Sequence, residues 1–312
     1  MQHLFNKIRG GARPQQDPQD PHSQPKLSLT EHLLHLDPDA YRSATQPPFL
    51  RLAAEGRLPK PLLGRWLASE RLYFHSYIRA AGKLLSSLDL PRGVGKSDDD
   101  AVVKVVDWVI EDLVRIREEE RRILDVAGRY GIRLEGEEVV SGPGVGPGPV
   151  EPRPASLGGR GGRLAVMEGV SDSVAAPAAI GVRAISQPNE PTVLPWLEAA
   201  VMFWGTERFF VDAWGWAKAQ QPVSGDDDDE ARDDADGGAL RREFIPIWSG
   251  EGFKEFVARL QVVIDEDVTK EIERGGKDVR EEVLRRTEGK WKSLVAGSES
   301  FWMNVDEHVE NR

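Results

Sequence analysis

The chain contains no cysteine, and only four methionines and four tyrosines among its 312 residues. The first absence excludes disulfides, thiolate metal sites and a cysteine nucleophile, and it fits a reducing compartment. No apolar run approaches the ~20 residues that cross a bilayer, so no membrane association is expected. A basic stripe of the kind that binds nucleic acid is also missing; the formal charge is −11. That charge is uneven. Eight acids and one arginine fall between Asp226 and Asp236, so the rest of the chain is only weakly acidic. The expected location is the cytoplasm. The first sixteen residues lack acids and hold Lys7, Arg9 and Arg13, as a mitochondrial presequence would, but the Pro/Gln-rich stretch that follows reads more simply as a tail.

What is present is helical periodicity. Residues 1–27 have little of it and much Pro, Gln and Asp, which predicts a disordered tail. Order is expected from Ser28-Leu29-Thr30-Glu31, an N-cap followed by a helix. From Lys60 to Leu85, apolar residues recur at spacings of three and four, as they do from about Asp98 to Tyr130, where Gly131 suits a helix stop. An aromatic helix spans about 191–220, another helical region 239–272 with a break at Ser249-Gly250, and a last helix or helix pair 276–310. The Gly/Pro-rich stretch 138–190 and the acidic stretch 222–238 read as disordered or solvated insertions in a single domain, 28–312. No strand pattern stands out. The fold class is all-α, a multi-helical bundle.

Glu70 is the most informative residue. It sits inside the apolar stripe of its helix, three or four positions from Trp66, Leu67, Tyr73 and Phe74. A carboxylate there faces the core and needs a partner or a raised pKa. It is either a pocket acid or a structural acid paired with an arginine. Glu207 repeats the pattern beside Phe203, Phe210, Val211 and Trp214, with Arg208 as its alternative partner. Two carboxylates entering one aromatic cavity suit acid–base chemistry, because their surroundings can push their pKa values apart. Tyr73 is a candidate hydrogen-bonding partner for a ligand, and Trp248 a candidate stacking platform; ordinary packing accounts for either. No metal or other cofactor is expected. Glu70 and His75 are five apart, and Glu31, Glu70 and Glu207 each lack the histidine three residues on that a di-metal bundle uses. Gly95-Lys96-Ser97 lacks the first glycine of a phosphate loop, and the Asp-rich run lacks calcium-loop spacing.

Several segments resemble one family in order and spacing. They are Ala44-Thr45-Gln46-Pro47-Pro48-Phe49-Leu50, Gly56-Arg57-Leu58-Pro59 and Leu67-Ala68-Ser69-Glu70-Arg71-Leu72-Tyr73-Phe74. Further on come Glu118-Glu119-Glu120 leading to Tyr130-Gly131-Ile132, Phe244 through Phe256, and Phe301-Trp302. Together, over about 28–135 and 188–305, they resemble the TenA/THI-4 (thiaminase-2) family. The resemblance implies a haem-oxygenase-like helical fold, homo-oligomeric and without haem. The implied activity is hydrolysis of thiamine or an aminopyrimidine derived from it, in thiamine salvage. It places Glu70 where the family holds the pyrimidine, Tyr73 at a neighbouring tyrosine, Glu207 near a pocket tyrosine and Trp248 near a ring-stacking aromatic. The family's nucleophilic cysteine falls near Phe203. Its C-terminal glutamate falls on Ser298, with Glu299 one residue off and turned by about 100° on a helix. The chain is therefore more similar to the family's cysteine-free branch, which relies on carboxylates, or to fungal-type haem-oxygenase-like proteins of unassigned activity.

Three functions follow as expectations. The first is a small-molecule hydrolase with Glu70, Glu207 and Glu299 as catalytic acids and Tyr73, Phe203 and Trp248 as substrate contacts. The second is a non-catalytic binding protein with a degenerate pocket, and the third a metal-dependent oxidase on the same fold.

Overall fold

A computed structural model describes residues 27–91, 100–134, 193–222, 233–299 and 301–305. Among these, all regular structure is helical. The tail expected over 1–27, apart from Leu27, the insertion 138–190 and most of the acidic stretch lie outside the described residues.

Three short helices lead in: α1 (Leu29–Leu34), α2 (Pro38–Thr45) and α3 (Pro48–Ala54). Ser28 caps α1 by accepting from the Glu31 amide, as its sequence predicts, and Asp37 caps α2 from the Ala40 amide. Two long helices follow, α4 (Lys60–Ser87) and α5 (Ala101–Tyr130). Asp100 caps α5 through the Val102 amide, so the helix starts slightly later than periodicity alone predicts. The aromatic helix α6 covers Leu197–Ala219. A π-helical turn, Leu240–Phe244, runs into the four-residue α7 (Ile245–Trp248). After the expected break at Ser249-Gly250, α8 runs Glu251–Glu299. The two final helices expected from the pattern are joined here: the axis breaks at Gly276 (φ 67°, ψ −145°) without a loop.

The helices enclose one core. α4 packs along α5, and α8 packs against α6, α2 and α5. Side chains from the loops and short helices tie the layers together. The Asp265 carboxylate on α8 accepts from the Thr30 amide (2.9 Å) and from both hydroxyls of Ser28 and Thr30. Trp302 Nε1 donates to the Ala44 carbonyl at 2.7 Å, folding residues 301–305 back onto α2. Trp108 Nε1 donates to the Phe256 carbonyl at 3.0 Å, linking α5 to α8.

The end of the acidic stretch departs from the solvated reading. Asp236 is 1 % exposed and accepts from the Gly238 and Leu240 amides, holding the start of the π-helical turn. Asp234 pairs with Arg241, and the next amide, that of Ala235, donates to the Gly56 carbonyl at 2.8 Å. Acid-rich composition describes the run as a whole, but these two carboxylates find amides and a guanidinium, which repay burial.

Two glycines carry the geometry. A Cβ on Gly64 would lie 2.1 Å from the Arg133 carbonyl oxygen, so α4 can approach residues 132–134 only because that position is bare. Gly131 ends α5 in the left-handed region (φ 62°), and the Ile132 amide reaches back to the Ala127 carbonyl at 2.8 Å. Space around Gly131 is open, so Gly131→Ala adds only backbone strain. We expect it to lower stability by about 1 kcal/mol in a urea titration; no change would mean that the cap is not held in this conformation.

Candidate functional site

Six helices, α2 and α4 to α8, converge on one cavity of about 70 Å³. Room for one water takes roughly 10–15 Å³ on such a measure, so the space suits a small ring. α4 contributes Glu70, Tyr73 and Phe74, and α6 contributes Thr206, Glu207 and Phe210. α5 supplies Asp112, Arg115 and Glu119, while Trp248 and Phe253 come from the α7–α8 corner. The C-terminal segment closes the remaining side with Ser298, Phe301 and Trp302.

Helical phase explains these positions. Glu70 is 1 % exposed, on the same stripe as Trp66, Leu67 and Tyr73, which are also buried. Glu207 is 7 % exposed. Its neighbour Arg208, the alternative partner, pairs with Asp212 one turn on at 2.8 Å, where Tyr41 also donates to Asp212 at 2.7 Å. Four of the six residues singled out in the sequence thus meet: Glu70, Tyr73, Glu207 and Trp248.

Two do not. Phe203 is fully buried and packs edge-on against Tyr77, centroids 4.9 Å apart, behind the cavity wall. One turn separates it from Glu207, and its ring is spent on core packing. Glu299 is exposed at the last turn of α8, and Ser298 lines the cavity in its place. A single residue on a helix turns the side chain by about 100°, enough to move it from the cavity to the surface.

Electrostatics sharpen the picture. Burial pushes the Tyr73 hydroxyl well above its ordinary pKa, and the nearby Glu207 and Asp112 charges add to this. Tyr73 is therefore a neutral phenol, able to donate or accept. Trp248 is held by a hydrogen bond and by neighbouring rings: its Nε1 donates to Glu119 Oε2 at 3.0 Å, its ring stacks on Phe244 at 4.5 Å, and Trp214 lies 4.7 Å away. Arg122 holds the other Glu119 oxygen at 3.3 Å. Behind these lies a cluster of rings in which Trp66 touches Phe49, Trp214, Trp248, Phe301 and Trp302.

Sequence reasoning missed Asp112. The signal was present: Asp112 stands four residues from Trp108 and Ile116 and three from Val109, all buried on the inner face of α5. The phase rule that places Glu70 inside places Asp112 there too. Arg115 and Thr206 gave no comparable signal, since each borders its apolar stripe.

Among the described residues, no group of three His, Asp or Glu side chains is placed to hold a metal ion, and no helix is long and apolar enough to cross a membrane.

No protein-family model matches the chain. A TenA homologue from Pyrococcus furiosus superposes with a TM-score of 0.52 at 16 % identity, over 88 % of this chain and 99 % of that one. A TenA family transcription regulator from a Silicibacter species gives 0.54 at 10 % identity, over 89 % and 97 %. These likenesses establish a TenA-like fold. Among curated proteins, a probable transcription factor from Fusarium pseudograminearum is 22 % identical over 262 residues, covering 77 % of this chain. The chain spans 45 % of that relative's length.

Proposed function

From a chain with the TenA-like fold, we propose a hydrolase acting on an aminopyrimidine or thiamine-like substrate through carboxylates. One observation carries this: two buried carboxylates, Glu70 and Glu207, reach one small aromatic cavity from different helices with Tyr73 beside them. Glu70 accepts from the exocyclic amino N–H of the amidine edge with one oxygen and from the N–H of the protonated ring nitrogen with the other. The Tyr73 hydroxyl and the fixed Trp248 indole orient the ring. Glu207 takes a proton from water as the water oxygen bonds to the carbon that bears the leaving nitrogen; the C–N bond breaks and its electron pair goes to the nitrogen, which leaves as a neutral thiazole from thiamine or, taking the proton back from Glu207, as an amine. No thiol takes part, because the chain has none. Glu299 is not assigned a role.

Isothermal titration with thiamine and with aminopyrimidines, followed by turnover assays, tests this. Binding tighter than about 1 mM, near −4 kcal/mol, is expected for at least one of them. Weaker binding by all sinks the proposal.

A second reading, a non-catalytic binding protein, draws on the serine that lines the cavity where Glu299 does not reach. The Fusarium relative's name would extend this to gene regulation, although a formal charge of −11 gives direct DNA contact no electrostatic support. Hydrolysis by the wild-type chain that is lost in Glu207→Gln would rule the second reading out.

A further inference from the structure

The outer sides of α4 and α5 carry a surface that the cavity does not use. On α5, Ile110, Val114, Arg117, Arg121 and Leu124 follow one another at spacings of four and three, and all five are exposed. That is the spacing of a heptad seam, the pattern that seats a second helix. It lies on the far side of α5 from Asp112 and Ile116, which are buried. Six large apolar side chains are exposed among the described residues, and three of them, Ile110, Val114 and Leu124, stand on this seam. A fourth, Leu72, stands on α4. The two helices run antiparallel, with Lys60 at Tyr130 and His75 at Glu120, so the register brings Leu72 beside Leu124. These four are between 40 and 55 % exposed. Aliphatic side chains scattered singly over a surface are ordinary, but a row of them along one helix pair marks a contact surface.

The same surface is basic, in a chain whose formal charge is −11. The only acid of α4 is Glu70, which is buried, whereas Arg65, Arg71, Arg79 and Lys83 all belong to that helix. Where α4 meets α5, Glu120 is shared by His75 at 2.9 Å, by Arg117 and by Arg71. Arg79 donates to Ser76 Oγ at 2.8 Å, and neither it nor Arg121 meets a carboxylate among the described residues. The acids Asp107, Glu111, Glu118 and Asp125 fall roughly 60–100° further round α5, on the edge toward α8, where Glu111 pairs with Arg259 at 2.5 Å.

We propose that this face docks an acidic amphipathic helix of a partner protein. Aliphatic side chains of that helix seat against Leu72, Ile110, Val114 and Leu124, and its flanking carboxylates meet Arg79, Arg117 and Arg121. From Ile110 to Leu124 the seam is about 21 Å long, which a partner of about four turns covers. A second copy on the same face fits worse: a two-fold axis through the middle of the seam sets Arg117 against its own equivalent. A nucleic acid leaves the four aliphatic side chains without a use, because phosphate contacts draw on charge. Nothing in this inference depends on the chemistry of the cavity.

Fluorescence anisotropy on the full chain tests this with two designed helical peptides of about eighteen residues. They share one leucine stripe, which glutamates flank in the first and lysines in the second. The glutamate peptide should bind with a Kd below about 100 µM at low salt, and at least about tenfold more weakly at about 500 mM salt, where charges are screened. The double variant Arg79→Glu, Arg121→Glu should weaken it at least about tenfold and transfer binding to the lysine peptide, a swap that misfolding cannot produce. The double variant Ile110→Ser, Val114→Ser should also weaken the glutamate peptide about tenfold, without any gain for the lysine peptide; it serves if the charge variant fails to fold. A glutamate peptide that does not bind below about 1 mM, or that binds both variants as it binds the wild type, overturns the inference. So does a DNA duplex that displaces the peptide from the wild type and not from the charge variant, since the face then reads phosphate. A wild-type dimer in sedimentation that separates in Ile110→Ser, Val114→Ser makes a second copy the occupant and overturns it too.

Discussion

Replacing Glu207 by glutamine is expected to cut aminopyrimidine turnover by two to four orders of magnitude, the usual worth of a general base. Affinity should change by no more than about tenfold, because the amide fills the same space and only a charge is lost. Glu70→Gln should do the reverse at the binding step. In the proposed binding mode Glu70 presents two acceptor oxygens to the amino N–H and the protonated ring N–H of the substrate. The amide replaces one acceptor with an N–H that opposes a ligand N–H. Charged hydrogen bonds are worth roughly 1.5–3 kcal/mol, so affinity should fall by about ten- to a hundredfold. Steady-state rates and calorimetric titration on both variants separate the two roles. If Glu207→Gln turns over at the wild-type rate, the water-activating assignment is wrong, whatever the pocket binds.

The second large effect is structural. Trp66→Ala should destabilise the chain by about 3–5 kcal/mol in urea denaturation, the range for deleting a buried tryptophan. Trp66 is 1 % exposed and meets five other aromatic rings. Those rings come from α3, α6, α7 and the C-terminal segment, so no single helix can close the gap. Trp248, Phe301 and Trp302 also line the cavity, and ligand affinity should fall with stability. A loss below about 1 kcal/mol would mean that the cluster repacks, and that the cavity wall is softer than these contacts indicate.

The helices and much of the site were legible from residue spacing, for a reason that also marks its limit. Burial on a helix is periodic, so an acid at the phase of Trp66 and Tyr73 announces its own position, and spacing alone puts Glu70 inside. Tertiary partners are not periodic. Helical spacing offers Arg208 its neighbour Asp212 one turn on, but not the Tyr41 hydroxyl that reaches the same carboxylate from α2. Glu299 shows the same limit at a helix end, where a register error of one residue exchanges inside for outside. The buried carboxylates of Asp234 and Asp236 lay hidden in a run whose composition argued for water, and only the fold supplies the amides and the arginine that hold them. Asp112 was readable by the rule that reads Glu70, but α5 is poorer in aromatic rings than α4 and α6, and its inner face looks like ordinary aliphatic core.

The ring cluster also has an optical consequence. Eight of the nine tryptophans are buried, and the planes of Trp66 and Trp302 lie 9° apart with centroids 6.1 Å from each other. Two nearly parallel indoles at that separation couple their electronic transitions and give a signed near-ultraviolet dichroism that neither gives alone. Trp302 and Trp248 border the cavity, so an occupant perturbs that signal directly. The protein thus carries its own chromophore at the site, and the filling of the cavity can be followed by light without a label or a turnover event.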